Sequence, residues 1–299
     1  MKFIESIQEM QEYSRQLKRE GKIIASIETA GYLHEGHMSL IKIAKENADV
    51  VILSIAHLMQ YITYFKDYED YLKEYKQNDF ISDIEFCQLH GVDIVVHIPD
   101  SSWNYQTSVD IPFPYLKRII KDRGELALRI EEGLGIWAEQ FNVIRPDVTI
   151  LGQKDIYQNF VVKSIIDKLN FPIKVIMAPI IRDSDGLACS SRNKFLTRSE
   201  RERAISIYKT LHEVSTWSNY AIDIGSAKYI KEYITSRVQS KWCSVDICCA
   251  ETFEELDSID RDAIIILAAG PFGRKGIPLH ELVNGGAKGF LTDNIFVYQ

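Results

Sequence analysis

The sequence has no apolar stretch approaching the ~18–20 residues needed to span a bilayer. It also has no CxxC spacing, no basic surplus, and no internal repeat or low-complexity tract. Each absence excludes something. Without a long apolar run there is no candidate membrane helix. The first residues, Met1-Lys2-Phe3-Ile4-Glu5-Ser6, are charged and lack a signal-peptide core, so a cytoplasmic protein is expected. The cysteines number five (Cys87, Cys189, Cys243, Cys248 and Cys249), an odd count. That argues against a disulfide framework or a structural zinc site, and predicts reduced thiols. Lys and Arg total 35 against 42 Asp and Glu, a net charge of −7. An acidic chain is a poor coat for nucleic acid or an anionic membrane, but it can still hold one small anion in a local basic pocket.

What remains is ordinary for a globular enzyme: 299 residues, 46% apolar and 26% charged. That length suggests two domains. Over the first half, β-branched runs alternate with helical patterns. Strands are expected at 23–27, 50–55, 93–98, 148–151 and 173–178. Helices are expected at 39–47, 68–89, 125–141 and 157–169. Five strands with intervening helices predict an α/β fold, a Rossmann-like, doubly wound parallel sheet. Beyond residue 181 the order changes. Helices at 198–215 and 225–240, then strands at 244–249, 264–269 and 290–297, predict a small α+β domain. The glycine-rich segment 270–289 reads as a long loop or hairpin. The expected domains are 1–182 and 183–299.

Ligands on such sheets sit at the carboxyl ends of the strands, so the loops after strands carry the chemistry. The first, Thr29-Ala30-Gly31-Tyr32-Leu33-His34-Glu35-Gly36-His37, contains an HxGH pattern in front of a helix expected to begin near Met38. Gly36 admits a ligand close to the backbone, and the helix start aims N–H groups at an anion. The two imidazoles can donate to phosphate oxygens as charge builds at an attacked α-phosphorus. A zinc pair would need further ligands, and none stands out nearby. The second loop, Gly152-Gln153-Lys154-Asp155-Ile156-Tyr157-Gln158, also opens a helix. Lys154 supplies a charge for a triphosphate, and Asp155 can take a ribose hydroxyl or help hold Mg²⁺. Equally, Asp155 can be a helix cap and Lys154 solvated. The third loop runs from Arg182 to Asn193. In it Ser190, Ser191 and Arg192 form an anion clamp, although Asp-Gly and Ser-Ser are also ordinary turn residues.

Together the three loops resemble the pantothenate synthetase (pantoate–β-alanine ligase) family. That family carries Thr-Met-Gly-x-Leu-His-Glu-Gly-His, Gly-x-Lys-Asp-x-Gln-Gln and Asp-Gly-Leu-Ala-Met-Ser-Ser-Arg-Asn, here in the same order at compatible spacing. The resemblance implies a fold of the HxGH nucleotidyltransferase type with a small C-terminal lid. It implies an ATP-dependent, AMP-forming ligase that joins a carboxylic acid to an amine through an acyl-adenylate, most simply pantoate to β-alanine. It further implies ATP with Mg²⁺, a homodimer, and no nucleic-acid or membrane partner. His34, His37, Lys154 and Arg192 are the implied catalytic residues. Ala30, Gly31, Gly152, Asp155, Ile181, Cys189, Ser190 and Ser191 complete the implied ATP site. Thr29, His57, Gln60, Arg129 and Gln158 are placed around the acid and amine.

The departures cluster on the acid and amine side. The family's Pro before the Thr is Glu28, and its Met after that Thr is Ala30. Its Asn aligns with His57, and its Arg-Pro-Gly-His-Phe-Arg-Gly-Val segment is replaced by 126–133, which contains Arg129. Arg129 either forks onto a substrate carboxylate or points into water. Cys189 stands for a family Met, with no His–acid pair to make it a nucleophile. A different acid and amine pair is therefore one alternative. A nucleotidyltransferase acting on a phosphate, an aminoacyl-tRNA synthetase fragment and a non-catalytic binding protein are the others.

Overall fold

The computed structural model describes residues 1–55, 77–98, 102, 126–217, 226–270, 272 and 291–298. The chain divides into two compact units: 1–152 with 157–179, and 153–156 with 180–299. The expected boundary at 182/183 therefore moves a few residues upstream. The 153–156 turn, expected in the first domain, groups with the second unit.

The first unit is a six-stranded sheet of β1 (Lys2–Ile4), β2 (Ile24–Thr29), β3 (Val50–Ile55), β4 (Ile94–Val96), β5 (Val148–Gly152) and β6 (Lys174–Ala178), in the order β1-β4-β3-β2-β5-β6. Every pairing is parallel. Strands so placed are buried on both faces, which explains their near-continuous apolar runs. On one face Leu40, Ile41 and Ala44 of α2 (Glu35–Asn47) and Phe80, Ile84 and Cys87 of α3 (Gln77–Leu89) pack on Ala25, Ile27, Leu53 and Ile150. On the other, Met10 and Leu17 of α1 (Ile7–Arg19) and Ile136, Val143 and Ile144 of α4 (Leu126–Ile144) pack on Ile24, Ile52 and Ile94. Trp137 and Phe141 of α4 continue that layer over Leu151, with Val161, Val162 and Ile165 of α5 (Ile156–Lys168).

Two elements were missed in the sequence, and both have physical reasons. β1 is only three residues long, too short to show a period, and forms a sixth strand at the sheet edge. α1 is strongly polar and buries only Met10, Ser14 and Leu17, a narrow stripe. It is anchored by Ser14, whose hydroxyl donates to the Ile144 carbonyl at 2.7 Å.

The second unit is an antiparallel sheet, β7 (Trp242–Cys249), β8 (Ala263–Gly270) and β9 (Leu291–Val297), in that order. It packs with α6 (Arg198–Thr216) and α7 (Ala227–Arg237). Their core joins Ile207, Leu211, Ile230 and Ile234 to Ile247, Ile265 and Leu267. A reciprocal Thr197/Glu200 cap starts α6. All five cysteines are free thiols. No helix among the described residues is long and apolar enough to cross a membrane.

Candidate active site

The HxGH loop is itself the first turn of a helix. α2 begins at Glu35, not near Met38, with His34 as its N-cap in extended conformation (φ −151°, ψ 179°). The Gly36 N–H donates to His34 Nδ1 at 3.1 Å, and the His34 N–H donates to His37 Nδ1 at 3.2 Å. This is a capping box built from two imidazoles, whose rings lie 4.2 Å apart. Because each Nδ1 accepts an N–H, each neutral ring carries its proton on Nε2. Both histidines are thereby fixed as Nε2–H donors at the positive end of a helix, an arrangement suited to an anion.

The loop entering this turn is tied down by a residue that no motif flagged. The Tyr32 and Leu33 N–H groups donate to the two carboxylate oxygens of Asp83 on α3, each at 2.7 Å. Asp83 is buried, and the stretch it holds makes a sharp turn, with positive φ at Gly31 (87°) and Tyr32 (50°). The signal in the sequence was an acid inside the apolar segment Phe80-Ile81-Ser82-Asp83-Ile84. Such an acid is kept only where its charge is satisfied. Asp83→Ala leaves two half-buried N–H groups without this acceptor and is expected to cost about 2 kcal/mol. Thermal unfolding checks the stability, and the apparent KM for ATP should rise as the histidine loop loosens.

Thr29 proves to be a loop brace. Its hydroxyl donates to the Ser54 carbonyl at 3.0 Å and accepts the Gly31 N–H at 3.4 Å. Gly152 ends β5, and its carbonyl accepts from the Asn159 amide at 2.9 Å. A Cβ there would meet only Leu40 Cδ2, at an ordinary 3.9 Å, so packing within the protein does not demand the glycine. Gln158 lies half-buried on the first turn of α5.

In the second unit, Gln153–Asp155 form a single 3₁₀ turn. Asn294 of β9, fully buried, pins it. Its amide donates to the Gln153 and Lys154 carbonyls (2.9 and 3.1 Å), and its Oδ1 accepts from the Gln153 side chain (2.9 Å). Lys154 Nζ lies 3.4 Å from the exposed carboxylate of Asp155. Asp155, the residue directly before α5, therefore pairs with its neighbour. Asn294 was also missed, although a polar pair, Asp293-Asn294, inside a strand pattern was the visible sign.

The 182–193 loop is held by its own charges. Arg182 makes a bidentate pair with buried Asp293 (2.6 and 2.9 Å) and stacks over the Tyr208 ring at 4.2 Å. Arg201 of α6 binds Asp183 at 2.7 Å and Asp185 at 2.6 Å. Burial works against the Asp183 charge, but Arg201 and the Cys189 thiol, which donates at 3.1 Å, hold its carboxyl below the usual range. Asp185 is held low chiefly by Arg201 as well. These two guanidiniums are struts, already matched by carboxylates. The loop they brace presents Ser190, which caps the turn Ser191–Phe195 by accepting the Arg192 N–H at 3.3 Å. Ile181 is partly exposed, and its carbonyl accepts the Cys189 N–H at 2.8 Å.

The sequence-predicted residues thus fall into two groups. Thr29, Ala30, Gly31, His34, His37, Gly152 and Gln158 belong to the first unit, and Lys154, Asp155, Ile181, Cys189, Ser190, Ser191 and Arg192 to the second. His57 and Gln60 lie outside the described residues, as does the 273–289 part of the expected long loop. Arg129 falls on α4, where side chains are described only from residue 135 onward.

The family model for pantoate–β-alanine ligase matches residues 2–277. A pantothenate synthetase of Thermotoga petrophila is 33% identical over 283 residues, covering 90% of this chain and 95% of the relative. Among solved structures, pantothenate synthetase from Thermus thermophilus superposes with a TM-score of 0.80 at 23% identity, covering all of both chains. A pantoate–β-alanine ligase from Francisella tularensis, complexed with β,γ-ATP and β-alanine, gives a TM-score of 0.68 at 22% identity over 99% of this chain and 97% of the other.

Proposed function

The chain belongs to the pantoate–β-alanine ligase family, and we propose how its own residues divide that family's work. The reaction is ATP-dependent and AMP-forming: pantoate and β-alanine are joined to give pantothenate. It consists of two substitutions. The pantoate carboxylate attacks the α-phosphorus of ATP, a C–O–P link forms, and pyrophosphate leaves with the electrons of the broken P–O bond. The neutral amine of β-alanine then attacks the acyl carbon and AMP departs, the amine's surplus proton passing to solvent. An uncharged amine is already a good nucleophile, so positioning and charge stabilisation matter more than a strong base.

In this reading His34 and His37 donate their Nε2–H groups to oxygens of the α-phosphate as it gains charge. Lys154, Ser190, Ser191 and Arg192 hold the β- and γ-phosphates and the leaving pyrophosphate. Gly152, Asp155, Ile181, Ala30, Gly31 and Cys189 line the nucleotide, while Gln158 and Gln60 hold the acid. Thr29 acts on the acid side by shaping the loop through its bond to Ser54. The observation that carries the reading is the reciprocal imidazole cap, which sets both proton positions before any ligand arrives.

Mg²⁺ would accompany the nucleotide. Among the described residues no cluster of three metal-ligating side chains exists. An ion held mainly by phosphates and by the exposed Asp155 carboxylate does fit. Bound there, it would neutralise phosphate charge.

Mass spectrometry of products from ATP, pantoate and β-alanine tests the reading. Free AMP and pyrophosphate with the amide are expected, whereas a retained nucleotidyl product would mean transfer to a phosphate. We also propose a cytoplasmic homodimer. Light scattering should return about twice the 34.4 kDa chain mass, and a value at the chain mass rejects the dimer.

A further inference from the structure

Of the strands in the first unit, β2 and β5 mark the switch point. β3 and β4 lie to one side of β2, and β5 and β6 to the other. The helices after β2 and β5 leave toward opposite faces of the sheet, α2 to one and α5 to the other. A crevice opens at the carboxyl ends of two such strands. Their register shows the opening: β2 pairs with β3 over six residues, but with β5 only at Ala25–Val148 and Ser26–Thr149. Glu28 stands just past the last of these pairs, beside the gap.

By alternation Glu28 shares a face with Ile24 and Ser26, the face covered by α4. Its Oε2 accepts from Thr149 across the gap at 3.2 Å. Its Oε1 is inaccessible to solvent and has no hydrogen-bond partner among the described residues. Ser26 Oγ, on the same strand face and near enough to the Glu28 carboxyl to favour its charge, makes no well-formed hydrogen bond, and Trp137 Nε1 and Gln140 Oε1 on the covering helix are likewise buried without a partner. Only one other described side-chain atom, Asn193 Oδ1 in the second unit, shares that condition. Buried polar atoms are normally paired, so such a concentration on one face at a switch point indicates groups awaiting a ligand.

We propose that Glu28 is a specificity-determining residue of the ligase reaction: its Oε1 accepts a hydrogen bond from a hydroxyl of the acid substrate, restricting the acid to hydroxy acids. This rests on the ligase reading and assigns one contact within it. An acceptor suits a hydroxyl, which must donate somewhere once buried. Burial, opposed by the nearby Ser26 and Thr149 hydroxyls, pushes the Glu28 carboxyl up to about 7. The substrate's own carboxylate is therefore not met by a full fixed negative charge.

The test is a cycle of variants and substrates. Pantoate and the two acids lacking one or the other of its hydroxyls are assayed by pyrophosphate release on the wild type, Glu28→Gln and Glu28→Ala. Glu28→Ala should lower kcat/KM for pantoate by roughly 10- to 100-fold, the scale of one hydrogen bond to a charged or strongly polar group. The KM for ATP should stay within about twofold. One deoxy acid should show the same loss on the wild type and no further loss on Glu28→Ala, while Glu28→Gln, which keeps an acceptor, recovers most of the activity on pantoate. Additive losses for both deoxy acids overturn the proposal, as does equal use of all three acids by the wild type. If Glu28→Ala fails to fold, Glu28→Met, which fills the same space without a carboxylate acceptor, takes its place in the cycle. A wild type that turns over only acids without hydroxyls refutes this contact and leaves the ligase reading standing. No pyrophosphate release with any acid removes both.

Discussion

Replacing His37 with alanine is expected to lower kcat at least ~10²-fold, the usual scale for losing one donor to a charge that develops in the transition state. The substitution also has a structural cost. His37 Nδ1 accepts the His34 N–H, so its loss removes one half of the cap at the start of α2, at about 1 kcal/mol. The two effects can be separated, because glutamine at the same position is the usual partner in a capping box. His37→Gln should restore the thermal stability lost in His37→Ala while leaving kcat low, since an amide reaching back to the His34 N–H cannot place a donor where imidazole Nε2 stood. Nucleotide binding, followed by intrinsic fluorescence, should weaken far less than turnover. A His37→Gln enzyme with a near-normal kcat would show that the imidazoles serve only to build the loop.

That test bears on how much of the molecule could be read from its residues. The parallel sheet was legible because strands covered on both faces are written as near-continuous apolar runs, such as Val50 to Leu53. The histidine loop was legible because its glycine and imidazole spacing is chemically demanding. The helix start was misplaced by about a turn because histidine is not a usual cap. Only the structure shows that His34 and His37 satisfy each other's backbone. Asp83 and Asn294 escaped for a related reason. Each acts on a loop 51 or 140 residues away, and such a contact leaves no periodic trace in the sequence. The same holds for the charge on the 182–193 loop. Arg182 and Arg201 look like anion ligands by composition, and the pairing with Asp293, Asp183 and Asp185 assigns them to support.

Glu28 also gives the stability a pH dependence whose sign follows from its burial. Its carboxyl titrates near 7 when folded, against 4.5 for the exposed group. Between those values the folded chain holds a proton that the unfolded chain has released, so stability falls as pH rises through that window and levels off above it. A shift of this size corresponds to about 3 kcal/mol at full extent. Glu28→Gln is nearly isosteric, keeps an oxygen to accept from Thr149, and has no charge to desolvate. The variant should match the wild type in stability below about pH 5 and exceed it by about 3 kcal/mol at pH 8, with a melting temperature higher by several degrees. Melting curves for both proteins at several pH values check this. Parallel pH profiles, with no divergence between pH 5 and 8, would mean that the carboxylate is charged and solvated in the folded chain, and the unpaired Oε1 would then have no need of a hydroxyl. A divergence that shrinks when pantoate is added would tie the titration to the substrate, because a bound hydroxyl gives the charged carboxylate the hydrogen bond it otherwise lacks.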